Sequence, residues 1–208
     1  MLLRRLLATA AASTALTIIE QSLHKLHRPP SSTHAEVPAR LETAKAALLA
    51  SDVRVADWRN AVNSTTTTVF DAVDALKLVH DVDHLRAVQA MSKTGGGFDT
   101  DTYCAPGSWE TVLDGTRAWV DCVALACADA GPAFALSRPA GHHATRTTAM
   151  GFGLVNYACA AVARALTEKS PPLRTAAPIV VVPHRGPREP ELVEHFVEDQ
   201  ASSKNGRS

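Results

Sequence analysis

Apolar positions along the chain recur at two spacings, one helical and one typical of strands. Helical spacing predicts helices at residues 39–50, 71–78, 82–92, 108–129 and 158–166. The apolar runs at 133–137 and 179–182 are too short for helices and predict buried strands. The polar, threonine-rich segment 58–70 fits either a surface linker or a strand. Alternation of helices and strands predicts an α/β fold with a mainly parallel sheet flanked by helices.

The amino-terminal 19 residues have a composition of their own. They contain Arg4 and Arg5, lack acidic residues, and are rich in alanine, serine, threonine and leucine. This composition favours a mitochondrial or plastid transit peptide, and without one we expect the cytoplasm or nucleus. The apolar run at 6–19 also fits a secretory signal, a first strand or a first helix. No stretch approaches the ~20 apolar residues of a membrane helix, so no membrane partner is expected.

Composition adds limits on size and partners. A chain of 208 residues suits one domain with a real core. The formal net charge of +0 gives no electrostatic footprint for direct nucleic-acid binding. The cysteines form no CxxC pair, which favours reduced, buried thiols over zinc or disulfide sites.

A histidine pair follows the predicted strand at 133–137. A Pro-Ala-Gly turn leads directly into His142 and His143. Loops that follow strands are where α/β proteins commonly carry reactive side chains. Because a free imidazole titrates near pH 6.5, adjacent histidines can divide the acid and base roles of a reaction. The alternative is a polar loop with two surface histidines, and the pair alone leaves both interpretations open.

Three further histidines, His24, His27 and His34, lie in a proline-rich segment at 23–38. Their spacing resembles that of metal ligands, but a loop seldom fixes ligand geometry without help from carboxylates or cysteines. We therefore expect no metal at these three residues.

Residues 138–144 (RPAGHHA) and 150–156 (MGFGLVN) resemble the signature of the zinc-dependent histone deacetylase and acetylpolyamine amidohydrolase superfamily, in its class II-like form. Segments 34–41, 80–85 and 99–108 are also similar to that family. The resemblance implies an incomplete arginase/deacetylase-like fold. It divides the chain into a transit peptide or amino-terminal extension at 1–17, the amino-terminal part of a deacetylase-like domain at 18–169, and a divergent, partly disordered tail at 170–208.

The same resemblance implies roles for individual residues in amide hydrolysis. His143 is the expected general base and His142 its electrostatic partner. Asp101 is expected to hold the backbone of the substrate, Phe152 to line the tunnel around the lysine methylenes, and the backbone of Gly151 to flank the acyl end. The implied substrates are acetylated proteins or acetylpolyamines.

The metal site departs from the family pattern. His184 matches an imidazole ligand of the family, but the aspartate expected two positions earlier is Val182. A catalytic zinc site needs about three protein ligands. We therefore expect that the Zn2+ of the family is not stably bound and that this chain is a truncated or inactive member. The alternative is a non-catalytic module that binds acyl-lysine or pairs with a paralogue or another oligomer partner.

Overall fold

The computed structural model describes residues 15–61, 72–128 and 131–167. Its five helices of more than one turn are α1 (Ala39–Ala50), α2 (Ala72–Lys77), α3 (Val82–Thr94), α4 (Ser108–Cys127) and α5 (Tyr157–Thr167). Its strands are β1 (Leu16–Glu20), β2 (Val55–Asn60), β3 (Gly96–Gly97), β4 (Tyr103–Cys104) and β5 (Ala133–Leu136). A short 3-10 helix spans His24–Leu26. In these segments, no helix is both long and apolar enough to cross a membrane.

The main sheet has three parallel strands in the order β2-β1-β5. The central strand β1 pairs Ile18 with Trp58 of β2 and with Phe134 of β5. Successive side chains of a strand point to opposite faces, which gives the sheet two covered sides. Ile18 packs with Leu41 of α1, while Ile19 packs against α4. The predicted α/β fold, with a mainly parallel sheet flanked by helices, is confirmed.

Helix α4 is the centre of the larger core. Its residues Trp109, Val112 and Val120 pack with α2, α3 and α5. Leu154 and Val155, which precede α5, are fully buried in the same cluster. Leu154 and Val155 therefore anchor the end of the loop between β5 and α5 to the core.

Most predicted elements agree with the structure to within two or three residues. Of the segment 58–70, for which a surface linker and a strand were both open, residues 58–60 belong to β2, which begins at Val55, and residues 62–71 lie outside the described segments. Serine is a favoured N-cap residue, so the sequence makes Ser108 a plausible N-cap of α4, but the structure places the N-cap at Gly107, in the left-handed conformation. The Ser108 hydroxyl instead accepts the Ala105 N–H at 2.8 Å. The predicted strand at 179–182 and His184 also lie outside the described segments.

Candidate active site

The histidine pair lies in the loop that follows β5. The ring centroids of His142 and His143 are 3.9 Å apart, with the rings tilted by 44°. Both side chains are half-buried. Gly141 lets the chain turn here, because a Cβ at this position would lie 2.6 Å from the Val155 carbonyl oxygen and 2.8 Å from the Tyr157 ring. The close packing at residue 141 thus fixes the position of the backbone that leads into His142.

The glycine-aromatic segment lies directly against His143. A Cβ on Gly151 would be 2.6 Å from the His143 ring, and Gly151 has φ +57. Phe152 also has a left-handed backbone, with φ 68. Two backbone hydrogen bonds of 2.9 and 3.0 Å between Met150 and Gly153 close this turn. The structure therefore brings together the predicted catalytic pair and the predicted tunnel residues.

Asp101 lies on an exposed loop that is stabilised by hydrogen bonds among its own residues. One carboxylate oxygen of Asp99 accepts the N–H groups of Asp101 and Thr102, at 3.0 and 2.6 Å. Burial acts to raise the pKa of Asp99, but these hydrogen bonds outweigh it and the pKa is lowered. The side chain of Asp101 is exposed at the surface.

His34 connects the amino-terminal loop to both of these segments. Its Nδ1 accepts the Glu36 N–H at 3.0 Å, so its Nε2 carries the proton and donates to the Asp101 carbonyl oxygen at 3.1 Å. Its ring lies edge-on to Phe152, with centroids 5.4 Å apart, and edge-on to Tyr103 at 4.8 Å. Asp101 and Phe152 are thus joined through one imidazole.

The other two histidines of the amino-terminal loop have separate partners. His24 Nε2 lies 3.2 Å from a carboxylate oxygen of Glu42. His27 is fully buried, bonds the Ser108 hydroxyl at 2.6 Å and stacks on Tyr103 at 4.2 Å. Burial, followed by the charges of Arg138 and His34, lowers the pKa of His27 to about 3. His27 is therefore a neutral residue of the core.

Two histidines in the loop before α3 and on α3 hold the segment after Phe152. His80 Nε2 accepts the Asn156 N–H at 2.9 Å, and His84 Nε2 donates to the Leu154 carbonyl at 2.9 Å. Burial, followed by the neighbouring His84, lowers the pKa of His80 to about 4. The neutral form of His80 is the one that can accept this backbone hydrogen bond.

A buried ion pair beneath the site went unrecognised in the sequence. Both carboxylate oxygens of Glu36 accept hydrogen bonds from Arg138, one from Nε at 2.9 Å and the other from Nη2. The Tyr103 hydroxyl donates to Glu36 at 2.8 Å and accepts from Arg138 Nη2 at 2.8 Å. Arg138 Nη1 also donates to the carbonyls of His24 and His27. Glu36 and Arg138 are 102 positions apart, and no local pattern links them.

The donor set in this part of the chain does not fit the zinc ion that the resemblance implies. Within 15–61, 72–128 and 131–167, no group of three or more His, Cys, Asp or Glu side chains is arranged to hold a metal ion. A catalytic zinc needs about three such ligands. The histidine pair and the residues at 101, 151 and 152 lie within these segments, whereas the predicted ligand His184 lies outside them.

Comparisons with known proteins agree with this geometry. The histone deacetylase domain model matches residues 34–176. An uncharacterized Synechocystis protein is 31% identical over 182 residues, covering 86% of this chain and 58% of that protein. A histone deacetylase-like amidohydrolase of Pseudomonas aeruginosa is 32% identical over 126 residues, covering 60% of this chain and 32% of that protein. The crystal structure of the HDA15 HD domain has 28% identity and a TM-score of 0.58, covering 74% of this chain and 45% of that one.

The family model covers more than half of the chain and includes both signature segments, 138–144 and 150–156. The chain belongs to the histone deacetylase family. It spans about half the length of the Synechocystis relative and of the HDA15 domain.

Proposed function

We propose that this chain carries the substrate-binding and proton-transfer part of a deacetylase site that acts on acyl-lysine or acetylpolyamine amides. The observation that carries this proposal is the convergence of three segments. Gly151 packs on His143, and His34 contacts both Phe152 and the Asp101 backbone. A lysine side chain that enters beside Phe152 would bring its amide towards the histidine pair.

Each residue has a role that matches its position in this proposal. The exposed Asp101 accepts hydrogen bonds from the substrate backbone, and Phe152 offers an aromatic wall to the lysine methylenes. His143, held against Gly151, acts as the general base that takes a proton from the attacking water and returns it to the leaving amine, and His142 is its electrostatic partner through the ring contact. General acid-base catalysis needs an imidazole fixed in this way.

Hydrolysis by the isolated chain is not part of this proposal. In the family, zinc supplies the activated water, but the described donors do not fit a zinc site and Val182 replaces an expected carboxylate. We expect the chain alone to be inactive. A second candidate function, a non-catalytic module that binds acyl-lysine or pairs with a paralogue, is favoured by the same assembled substrate residues.

The test measures zinc content, hydrolysis and binding on one preparation. We expect less than stoichiometric zinc after incubation with zinc chloride, and no release of acetate from an acetyl-lysine peptide. We also expect that peptide to bind more tightly than its unacetylated form, and Phe152→Ala to abolish the difference. Stoichiometric zinc together with hydrolysis that His143→Ala abolishes would refute the expected inactivity. Equal binding of both peptides would refute the proposed site.

A further inference from the structure

Thr102 lies between the loop of Asp101 and the turn of Phe152. Its side chain is fully buried. The Thr102 hydroxyl donates to a carboxylate oxygen of Asp99 at 3.0 Å and accepts the Phe152 N–H at 3.2 Å. A hydroxyl has one hydrogen to give and two lone pairs to receive, so both bonds form at once. The Thr102 side chain thus links the loop of Asp99 and Asp101 to the turn that contains Phe152.

The Phe152 amide is where such a bond has the greatest effect. Phe152 is the non-glycine residue with a left-handed backbone among those that the structure describes. For an L-residue this conformation is sterically unfavourable and persists only where surrounding contacts hold it. The turn between Met150 and Gly153 closes on itself, so the bond from Thr102 fixes Phe152 from outside the turn.

We propose that Thr102 is a positioning residue, whose hydroxyl fixes Phe152 relative to Asp101 and so sets the affinity of the site for the acyl-lysine chain. This inference rests on the proposed function. Asp101 and Phe152 grip different parts of one substrate, and they do so together only if their loops keep a fixed distance. Without the hydroxyl, the Phe152 N–H loses a buried acceptor and the left-handed turn loses its external support.

A purely structural role for a buried threonine makes different predictions. Thr102→Val keeps the shape of the side chain and removes only the hydroxyl, whereas Thr102→Ser keeps the hydroxyl and removes a methyl group. Thr94→Val removes an exposed hydroxyl at the end of α3, away from the site, and serves as the matched control. If packing alone matters, Thr102→Ser should be the more harmful substitution. If the hydroxyl matters, Thr102→Ser should restore what Thr102→Val loses.

The experiment combines calorimetric titration with an acetyl-lysine peptide and hydrogen exchange of the Phe152 amide by NMR. We expect Thr102→Val to weaken binding by about tenfold, with an unchanged number of sites, because the part-buried hydrogen bonds of the hydroxyl to the Phe152 N–H and to Asp99 are both lost. We expect Phe152 amide exchange to accelerate by about the same factor. Thr102→Ser and Thr94→Val should stay close to the unsubstituted chain in both measurements.

The outcomes separate this inference from the proposed function. Binding by Thr102→Val equal to that of the unsubstituted chain would overturn the inference and leave the proposed function intact. A reduced number of sites with unchanged affinity would also overturn it, because that result reports partial unfolding. If the unsubstituted chain does not bind the peptide, the proposed function fails. In that case, hydrogen exchange of the Phe152 amide tests whether Thr102 fixes Phe152. An exchange rate that is unchanged in Thr102→Val overturns the inference.

Discussion

The substitution Glu36→Gln tests the buried ion pair beneath the candidate site. Glu36 is fully buried and accepts hydrogen bonds on both carboxylate oxygens, from Arg138 and from the Tyr103 hydroxyl. Glutamine has nearly the same shape, but it replaces one of these oxygens with an NH2 group. That NH2 group then faces the donors of Arg138 or Tyr103. The change therefore removes the negative charge and one acceptor while leaving the packing almost unaltered.

The expected cost follows from what remains buried. The guanidinium of Arg138 is 3% exposed and keeps neutral partners, the carbonyls of His24 and His27. Breaking a buried pair by removing one partner costs about 3–5 kcal/mol, because the other charge stays desolvated. Since the free energy of unfolding of a domain is about 5–15 kcal/mol in total, this is a large fraction of it.

Urea unfolding followed by circular dichroism measures this loss. Glu42→Gln is the matched control, because it makes the same chemical change in an ion pair with Lys25 whose side chains are 48% and 67% exposed. We expect the control to cost less than about 1 kcal/mol. Combining Glu36→Gln with Arg138→Met should cost less than the sum of the single substitutions, because it removes the stranded charge. A loss for Glu36→Gln no larger than that of the control would refute the reasoning.

Three further predictions concern pH and two neighbouring positions. The folded pKa values of His27 and His80, about 3 and about 4, lie below the unfolded value of 6.5, so the unfolded chain binds more protons. Stability should thus be fully present above pH 6.5 and fall towards pH 4 by about 1.4 kcal/mol per pH unit for each histidine, measured by urea unfolding at several pH values. Gly151→Ala should push the His143 ring aside and cost about 1–3 kcal/mol in thermal unfolding, and the His143 NMR signals should shift. Tyr103→Phe removes one buried hydroxyl and should cost about 1–3 kcal/mol in thermal unfolding, less than Glu36→Gln, which removes the charge that this hydroxyl contacts.

Each of these has a result that would count against it. Equal stability at pH 7 and pH 5 would mean that the two histidines are not buried as neutral groups. For the glycine, Gly97→Ala is the comparison, because residue 97 has no left-handed backbone and its added Cβ would lie 3.1 Å from the nearest atom. Equal effects of the two alanine substitutions would contradict the close packing at 151. A larger loss of stability for Tyr103→Phe than for Glu36→Gln would contradict the expectation that the hydroxyl contributes less than the charge.

The sequence predicts the helices well because their signals are local. The apolar spacing of 39–50 and 82–92 is carried by neighbouring residues, and the corresponding helices are Ala39–Ala50 and Val82–Thr94. Strand β1 overlaps the longer apolar run at 6–19, whose pattern fits a strand, a helix or a secretory signal. Its identity comes from pairing with β2 and β5, which are distant in sequence.

In the candidate site, too, local sequence signals identify some features, and contacts between distant residues determine the others. The signature segments themselves point to His142, His143, Gly151 and Phe152, and the structure places these residues together. What the sequence could not reveal is how the segments are held. The bond from Thr102 to Phe152 joins positions 50 residues apart and depends on the tertiary arrangement.

The strand order β2-β1-β5 has a consequence for how the chain folds. Of the three described strands in this sheet, the central strand β1 is synthesised before β2 and β5, and its register with β5 pairs Thr17 with Ala133. Contacts between such distant positions slow folding, because a long loop must close before they form. During translation, one edge of the strand segment Leu16–Glu20 therefore stays unpaired with β5 until Ala133–Leu136 has left the ribosome. Its exposure in that interval makes β1 the place where binding of a chaperone would protect the nascent chain from aggregation.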